Sequence, residues 1–419
     1  MPRTLGKRIS FQDIVAKVKN KNQEERQQSF TIKLPFHNKI GATPSRIDLS
    51  GSPLSFLLSI CQYLGIYWTS HSDIVANLFF FYNLLVIFLH VSYSIALLQA
   101  IFSSKTSLIF GATIPVYSAK VQFVHTSLSL WLLFRLRSLS PRLLAESCDI
   151  LAGHPDFTTV KGKKLRIFSI AAVIIAISLP IPLVLFHLIF TLSSPYSSEY
   201  SALRCGHSCI VIESLLNLYV SLCTLSSCAL ITSLLLSNRL EARQLVVDLQ
   251  KCTGGTHVDP LIFRYQTLET CVYGSESLLS TSLLFIPVSC VIALFFIGRF
   301  TLKEYSHSDL HLLTLPTLSL LCILITTISL LGLASSMNGQ LSRFRGSSRR
   351  IADLQQFAFN PTQMVRLLLF MLRLTDDRLS VTAGGICIVN RQNLLMAALI
   401  VLVIGISVLS IRDGCLRVP

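Results

Sequence analysis

The stretch Thr382–Ile411, TAGGICIVNRQNLLMAALIVLVIGISVLSI, indicates the fold of this 419-residue chain most clearly. It opens with a turn of small residues, Thr382–Gly385, and passes a polar step, Asn390–Asn393. The run that follows, Leu394–Ile411, contains no charged residue. Because about 20 predominantly apolar residues cross the bilayer core as a helix, this run predicts a membrane span.

The composition of the whole chain is typical of a polytopic membrane protein. Hydrophobic residues make up 52 %, charged residues 14 %, and the mean hydropathy is +0.61. A soluble protein carries about 25 % charged residues. The twelve cysteines include no CxxC pair and no His/Cys set at zinc spacing, so we interpret most of them as small apolar residues within helices.

Seven stretches are long and apolar enough to cross a bilayer. They are approximately residues 74–102, 107–134, 167–193, 207–236, 279–298, 310–335 and 394–411. Several contain proline, which membrane helices tolerate where neighbouring helices or water satisfy the freed backbone groups. Residues 52–68 are apolar but interrupted by polar groups, which favours a helix at the membrane interface.

Basic residues are distributed unevenly between alternate connections. Of the 36 Lys and Arg residues, 29 fall on one side of the predicted membrane and six on the other, while Lys120 lies within a span. Cytoplasmic loops carry the excess of Lys and Arg. We therefore expect a cytoplasmic N-terminus and, after seven crossings, an extracellular C-terminus. This distribution accounts for the net charge of +15 without nucleic acid as a partner.

Helical patterns continue into the inner connections. Asn238–Gln250 places apolar residues on one face and charged residues on the other, and Gln363–Leu374 is also amphipathic. We expect these extensions to form a cytoplasmic anchor layer; loosely ordered loops are the alternative. The all-α chain then divides into a cytoplasmic basic tail (1–51), an interfacial helix (52–72), spans one to six with their extensions (73–335), a cytoplasmic helical segment (336–392), the last span (393–411) and a short extracellular tail (412–419).

The sequence lacks the motifs of several other protein classes. It has no P-loop, HExxH or GxSxG motif, so we predict neither an enzyme nor a bound cofactor. The clusters His154–Asp156 and His307–His311 have no second set of ligands, so no metal site is predicted. The inward N-terminus and the missing NPxxY argue against a G-protein-coupled receptor. A secondary transporter would show repeated halves, and none is evident.

The predicted topology resembles that of the arthropod gustatory and odorant receptors, with seven spans, long inner helical extensions and short outer loops. The resemblance extends over about residues 52–411. Its most specific part is the end, where Met364–Leu374, Thr382–Gly385 and Val389–Arg391 match the order of cytoplasmic helix, small-residue turn and hydrophobic-Asn-Arg step. The family's last-span signature of Thr-Tyr, five hydrophobic residues and Gln-Phe is replaced here by Ile404–Arg412, so the chain resembles a divergent member.

The resemblance implies a gustatory-type chemoreceptor of the plasma membrane that acts as a ligand-gated, non-selective cation channel. It implies a tetramer of identical or related subunits around a pore lined by the last span, with a tastant pocket among spans two to six of each subunit. The alternative is a receptor or transporter without a pore, or a light- or redox-sensing relative of the same fold. The presence of only two Trp, Trp68 and Trp131, weighs weakly against light sensing.

The candidate pore residues lie on one face of the last span. They are Val401, Ile404, Gly405, Val408 and Ile411. In the register of the family, Val408 takes the narrow position, and hydrophobic constrictions gate by dewetting. The alternative is that these residues face lipid or other helices, as in any apolar span.

The candidate ligand pocket is based on polar and ionisable residues inside the second and fourth spans. These residues are Lys120, Gln122, His125, Glu213, Asn217 and Tyr219. Ionisable groups in a membrane are costly, so they mark functional sites by default. Lys120 and Glu213 are expected to pair because each alone in hydrocarbon is unfavourable. A purely structural polar bridge between the two helices is the alternative.

Overall fold

The computed structural model describes residues 52–66, 73–103, 114–137, 155–193, 207–251, 258–304, 314–353 and 379–397, with positions 139, 143, 144, 147, 365, 369, 370, 372, 374 and 399. The chain divides into two units, Met1–Ile47 and Asp48–Pro419, and every described residue belongs to the second. The predicted tails 1–51 and 412–419 lie outside the described residues.

Within these residues the chain forms eight helices and one small hairpin. The helices are α1 (Ser55–Tyr63), α2 (Asp73–Ser103), α3 (Ile114–Arg137), α4 (Pro155–Ser178), α5 (Pro180–Ser193), α6 (His207–Lys251), α7 (Val258–Glu304) and α8 (Thr314–Asp353). The antiparallel strands β1 (Thr382–Ala383) and β2 (Cys387–Ile388) form the hairpin, and residues 391–397 are again helical.

The structure confirms a helical fold with several helices able to cross a membrane. Five helical stretches of the described chain are long and apolar enough to do so: Phe81–Phe102, Thr159–Ser193, Ile210–Gln250, Pro260–Gly298 and Thr314–Ser347. The helix α3 occupies the described part of the second predicted span, but its polar residues leave it outside this set. The last predicted span continues beyond the described residues.

One face of α2 has the character of a surface that contacts lipid. Phe81, Phe88, Ile95 and Phe102 recur every seven residues, and each is more than half exposed. A soluble protein rarely exposes so continuous an apolar surface. The stripe is the part of α2 suited to face a bilayer, whereas Asn83, His90 and Tyr93 of the same helix are buried.

The helix α6 is the centre of the bundle. Of the 18 consecutive residues that form its most apolar part, 89 % are buried, compared with 28 % in the corresponding part of α2. Many of the buried side chains are small, including Ser221, Ser226 and Ala229, and small residues allow membrane helices to approach closely. Accordingly α6 packs most extensively against α8, where the Cys228 thiol donates to the Thr326 carbonyl oxygen at 3.9 Å.

The third predicted span is divided into two helices at Leu179. Pro180 and Pro182 have no backbone N–H, so two hydrogen bonds to the preceding turn are lost. The helix α4 ends at Ser178 and α5 begins at Pro180. In contrast, Pro287 lies inside α7 without ending the helix.

The helices α6, α7 and α8 extend far beyond membrane length. They contain 45, 47 and 40 residues, whereas about 20 residues cross the bilayer core. Their extensions share an aromatic core in which Tyr265 stacks on Phe344 at 5.3 Å and meets Phe370 edge-on at 5.4 Å between ring centroids. Phe370 is a described position of the predicted amphipathic helix, and its ring packs on these extensions.

The predicted interfacial segment forms α1, which packs against the bundle through one face. Leu57 and Cys61 are fully buried, and the Cys61 thiol donates to the Ser226 carbonyl oxygen of α6 at 3.7 Å. Tyr63 at the end of α1 is 78 % exposed. The helix α1 therefore packs one face against α6 and leaves its other face exposed.

The predicted small-residue turn is the tip of the β1–β2 hairpin. Gly384 and Gly385 have φ of +62° and +71°, in the region that favours glycine. A Cβ on Gly384 would lie 2.8 Å from the Leu284 Cδ2 of α7, and the Gly384 N–H donates to the Ser280 carbonyl oxygen at 2.8 Å. The glycine thus permits both the backbone turn and its close approach to α7.

Candidate functional site

A set of buried polar side chains crosses the bundle between α2, α3, α6 and α8. We call it the polar layer, and it comprises the buried His90, Tyr93, Ser118, Gln122, His125, Ser129, Asn217 and Ser319 with the partly buried Tyr219. Polar side chains inside a membrane bundle are stable only when they find partners. The hydrogen bonds of this layer therefore determine which of its atoms are already used and which remain able to bind a ligand.

Both the oxygen and the nitrogen of the Gln122 side-chain amide on α3 form hydrogen bonds. The Tyr93 hydroxyl of α2 donates to Gln122 Oε1 at 2.7 Å, and Gln122 Nε2 donates to the Ser118 hydroxyl at 3.0 Å. All three side chains are buried. These bonds fix the orientation of the Gln122 amide between α2 and α3.

Asn217 connects the layer to α8. Its Nδ2 donates to the Ser319 hydroxyl at 3.4 Å, and the Ser221 hydroxyl donates to its Oδ1 at 3.5 Å. Tyr93 also has the Asn217 side chain as a hydrogen-bonding neighbour. The structure thus brings Gln122 and Asn217 together around the Tyr93 hydroxyl.

His90 of α2 is the centre of a second group. Its Nδ1 lies 2.9 Å from the Val86 carbonyl oxygen and its Nε2 3.1 Å from the Ser129 hydroxyl. The Tyr219 ring lies 5.6 Å from the His90 ring, between centroids. Because the Tyr219 hydroxyl donates to the Leu64 carbonyl oxygen at 2.9 Å, this group also secures the segment that follows α1.

His125 differs from every other residue of the layer. It is 0 % exposed, and neither ring nitrogen has a hydrogen-bond partner within the described part of the chain. The other histidine of the layer uses both of its ring nitrogens. A buried polar group without a partner is unfavourable by about 1–3 kcal/mol, so His125 is the histidine of this layer whose hydrogen-bonding capacity the described residues leave unused.

Lys120 lies on a different face of α3 from Gln122. Its ammonium is 5.2 Å from the centre of the Tyr117 ring and 5.6 Å from that of Phe296 on α7. Aromatic faces attract a cation through their quadrupole, which offsets part of the cost of burying the charge. The expected pairing of Lys120 with Glu213 stays a prediction.

The candidate pore residues Val401, Ile404, Gly405, Val408 and Ile411 all lie outside the described residues. The structure does describe how the chain enters that helix. Asn338 of α8 donates from Nδ2 to the carbonyl oxygens of Val381 and Val389 at 2.8 and 2.7 Å, and its Oδ1 accepts the Val381 N–H at 2.7 Å. One buried side chain thus holds both ends of the hairpin before the helical residues 391–397.

Sequence reasoning missed several members of the polar layer. His90 follows from the same rule that selected His125, since both are ionisable residues inside predicted spans. Tyr93 and Ser319 carry no such signal, because tyrosine and serine are common in membrane helices. Asn338 was also missed, and only the position of the hairpin gives its amide a role.

Comparisons with known proteins bear on the fold. No protein-family model matches the chain, and no curated protein matches its sequence. Two solved structures of the insect olfactory receptor OR5 from Machilis hrabei are similar, one of them in complex with eugenol. The complex superposes with a TM-score of 0.64 and the other structure with 0.65; each is 12 % identical, and each comparison covers 85 % of this chain and 97 % of OR5. The chain therefore has the fold of an insect olfactory receptor.

Proposed function

We propose that this chain is a chemosensory receptor subunit of the gustatory type, which forms a ligand-gated, non-selective cation channel in the plasma membrane. The fold of an insect olfactory receptor supports a sensory function rather than an enzymatic one. The observation that carries the proposal is His125, a fully buried side chain with two unpartnered nitrogens inside the polar layer. OR5 was solved with eugenol, which supports a small molecule as the ligand class.

The ligand we propose is a polar tastant that carries hydroxyl or carbonyl groups. A neutral imidazole has one donor nitrogen and one acceptor nitrogen, so His125 satisfies either kind of group. The pocket then comprises His125, Gln122, Glu213, Asn217 and Tyr219, with Lys120 at its α7 side. Sites that hydrogen-bond a ligand hydroxyl strongly reject the analogue that lacks it, because their own polar groups are left unpaired.

A dose–response comparison tests this pocket. In His125→Phe we expect the half-maximal ligand concentration to rise about 5- to 150-fold, which corresponds to the roughly 1–3 kcal/mol lost when a buried polar ligand group has no partner. The matched control is Ser169→Ala, which removes another buried, unpartnered polar atom on α4. An unchanged response in His125→Phe, at normal surface expression, would contradict the pocket.

The proposed topology has seven spans, with the N-terminus inside and residues 412–419 outside. It is supported by the 29 basic residues on one side of the predicted spans. An epitope placed after Pro419 should be labelled on intact cells, whereas one placed before Met1 should need permeabilised cells. Labelling that requires permeabilisation at both ends would overturn the odd number of spans.

The proposed pore is lined by Val401, Ile404, Gly405, Val408 and Ile411 of four subunits, identical or related. Support comes from the apolar stripe that these residues form and from the hairpin that leads into their helix. Replacing external sodium with a large organic cation should abolish the inward ligand-evoked current. A reversal potential that instead follows the chloride gradient would contradict cation conduction.

A further inference from the structure

A second group of buried charged side chains lies away from the polar layer, where α4, α6 and α7 meet. Lys161 of α4 and Glu241 of α6 are both fully buried, and Lys161 Nζ lies 4.0 Å from Glu241 Oε2. Arg264 of α7 donates to the other oxygen, Glu241 Oε1, from Nη2 at 3.1 Å and from Nε at 3.4 Å. Arg264 also pairs with Asp248. The proposed sensory function makes no use of this group.

Three side chains of this group have polar atoms that no other described residue satisfies. They are both amide atoms of Asn238, the Oε2 of Glu241 and the hydroxyl of Ser147. Asn238 and Glu241 lie one turn apart on the same face of α6. The Ser147 carbonyl oxygen accepts from Lys161 Nζ at 2.9 Å, so the Ser147 hydroxyl lies beside the same ion pair.

The spacing between the two charges is the second observation. A separation of 4.0 Å is too long for a hydrogen bond between Lys161 Nζ and Glu241 Oε2. It suits a single water molecule that hydrogen-bonds to both atoms at about 2.8 Å. Asn238, one turn before Glu241 on α6, adds two donors and an acceptor.

The unsatisfied atoms include both donors and acceptors, and this mixture distinguishes water from an ion. Asn238 Nδ2 and the Ser147 hydroxyl offer hydrogens, whereas Asn238 Oδ1 and Glu241 Oε2 offer lone pairs. A cation would be repelled by Lys161 and Arg264, and an anion by Glu241. A neutral molecule that both donates and accepts meets every requirement.

We propose that Ser147, Lys161, Asn238 and Glu241 form a site for bound water molecules, which complete the hydrogen bonds of a buried ion-pair network joining α4, α6 and α7. Internal waters of this kind make about three hydrogen bonds each to buried polar groups.

A cryo-EM map of the full-length protein in lipid nanodiscs, at a resolution that shows ordered water, tests the proposal. We expect density within hydrogen-bonding distance of Asn238 Nδ2 and Oδ1, and a further peak between Lys161 Nζ and Glu241 Oε2. A map that shows ordered water elsewhere but none here would overturn the proposal. In Asn238→Leu the first peak should disappear while the second remains.

Thermal unfolding in different salts provides a test that needs no variant. If the site holds water, the wild-type midpoint should be the same in sodium chloride, potassium chloride and N-methylglucamine chloride at equal ionic strength. A midpoint that rises selectively with sodium or potassium, accompanied by density with short contacts to oxygen atoms alone, would identify a cation site and overturn the proposal.

Discussion

Asn338 on α8 and Val389 at the end of the hairpin are joined by a hydrogen bond of 2.7 Å between the amide Nδ2 and the carbonyl oxygen. The same side chain satisfies both backbone groups of Val381. Arg345, two turns further along α8, donates to the Leu379 carbonyl oxygen at 2.5 Å. The helix α8 therefore fixes the backbone that leads into the proposed pore helix.

Replacing Asn338 with alanine should strongly destabilise the hairpin. The substitution removes the Asn338 partner of the Val381 N–H and of the Val389 carbonyl oxygen, each at a cost of about 1–3 kcal/mol, whereas the Val381 carbonyl oxygen keeps the Val389 N–H as a donor. We expect a markedly lower unfolding temperature and faster amide exchange at Val381. The control is Asn393→Ala, because the Asn393 side chain also donates to a hairpin carbonyl, that of Ile388, but is exposed. Equal effects of the two substitutions would contradict the importance of the buried Asn338 hydrogen bonds.

The two glycines of the hairpin should respond differently to alanine. Both have a positive φ, which costs a residue with a Cβ roughly 1–2 kcal/mol. At Gly384 the new Cβ also meets Leu284 Cδ2 at 2.8 Å, whereas at Gly385 nothing lies within 4 Å. Thermal unfolding should show a larger loss for Gly384→Ala than for Gly385→Ala, and Leu284→Ala should reduce the difference. No difference between the two variants would contradict this packing.

The sequence predicted these features of the hairpin only in part. Two consecutive glycines predicted a turn because they adopt a positive φ without strain. The partner that holds the turn could not be predicted, because Asn338 is 43 and 51 residues away from Val381 and Val389. Such contacts arise when α7 and α8 pack, and a single sequence carries no local signal for them.

The Tyr93 hydroxyl should matter to both stability and ligand response. In Tyr93→Phe the buried Gln122 Oε1 loses its donor, and we expect a loss of about 1–2 kcal/mol in unfolding free energy. The ligand response should also weaken, because the Gln122 amide is no longer held. Tyr63→Phe is the control, since Tyr63 is 78 % exposed and its substitution should change stability by about 0.5 kcal/mol or less. If Tyr93→Phe changed neither the unfolding free energy nor the ligand response, the polar layer would not depend on this hydrogen bond.

The buried ion-pair network should depend more on Glu241 than on Asp248. Glu241→Gln leaves Lys161 and Arg264 buried beside a neutral group, and breaking a buried pair in this way costs about 3–5 kcal/mol. Asp248 is partly exposed, so Asp248→Asn should cost about 1 kcal/mol or less. Unfolding temperatures and yields of folded protein would test this order. The reverse order would contradict the central position of Glu241.

The helical fold and its several apolar helices of membrane length were predictable because long apolar runs carry a strong local signal. The central position of α6 was not predictable. Its run of Ser, Thr, Ala and Cys indicates close packing only once its neighbours are known. Likewise Lys161 looked like one more basic residue of an inner connection, yet it is fully buried against Glu241. The two prolines Pro180 and Pro182 explain the break at Leu179, where the sequence predicted one continuous span. Pro287 lies inside α7 without ending it, so a proline by itself does not predict where a helix ends.

The proposal that this chain forms a ligand-gated channel is tested most directly by reconstitution. Purified protein in a planar bilayer, exposed to a panel of polar tastants, should show ligand-dependent single-channel openings whose reversal potential follows the cation gradients. His125→Phe should open with the same conductance but at higher ligand concentration. A ligand that binds the purified protein with no conductance, under conditions where a known channel is active, would contradict the account and favour a receptor without a pore.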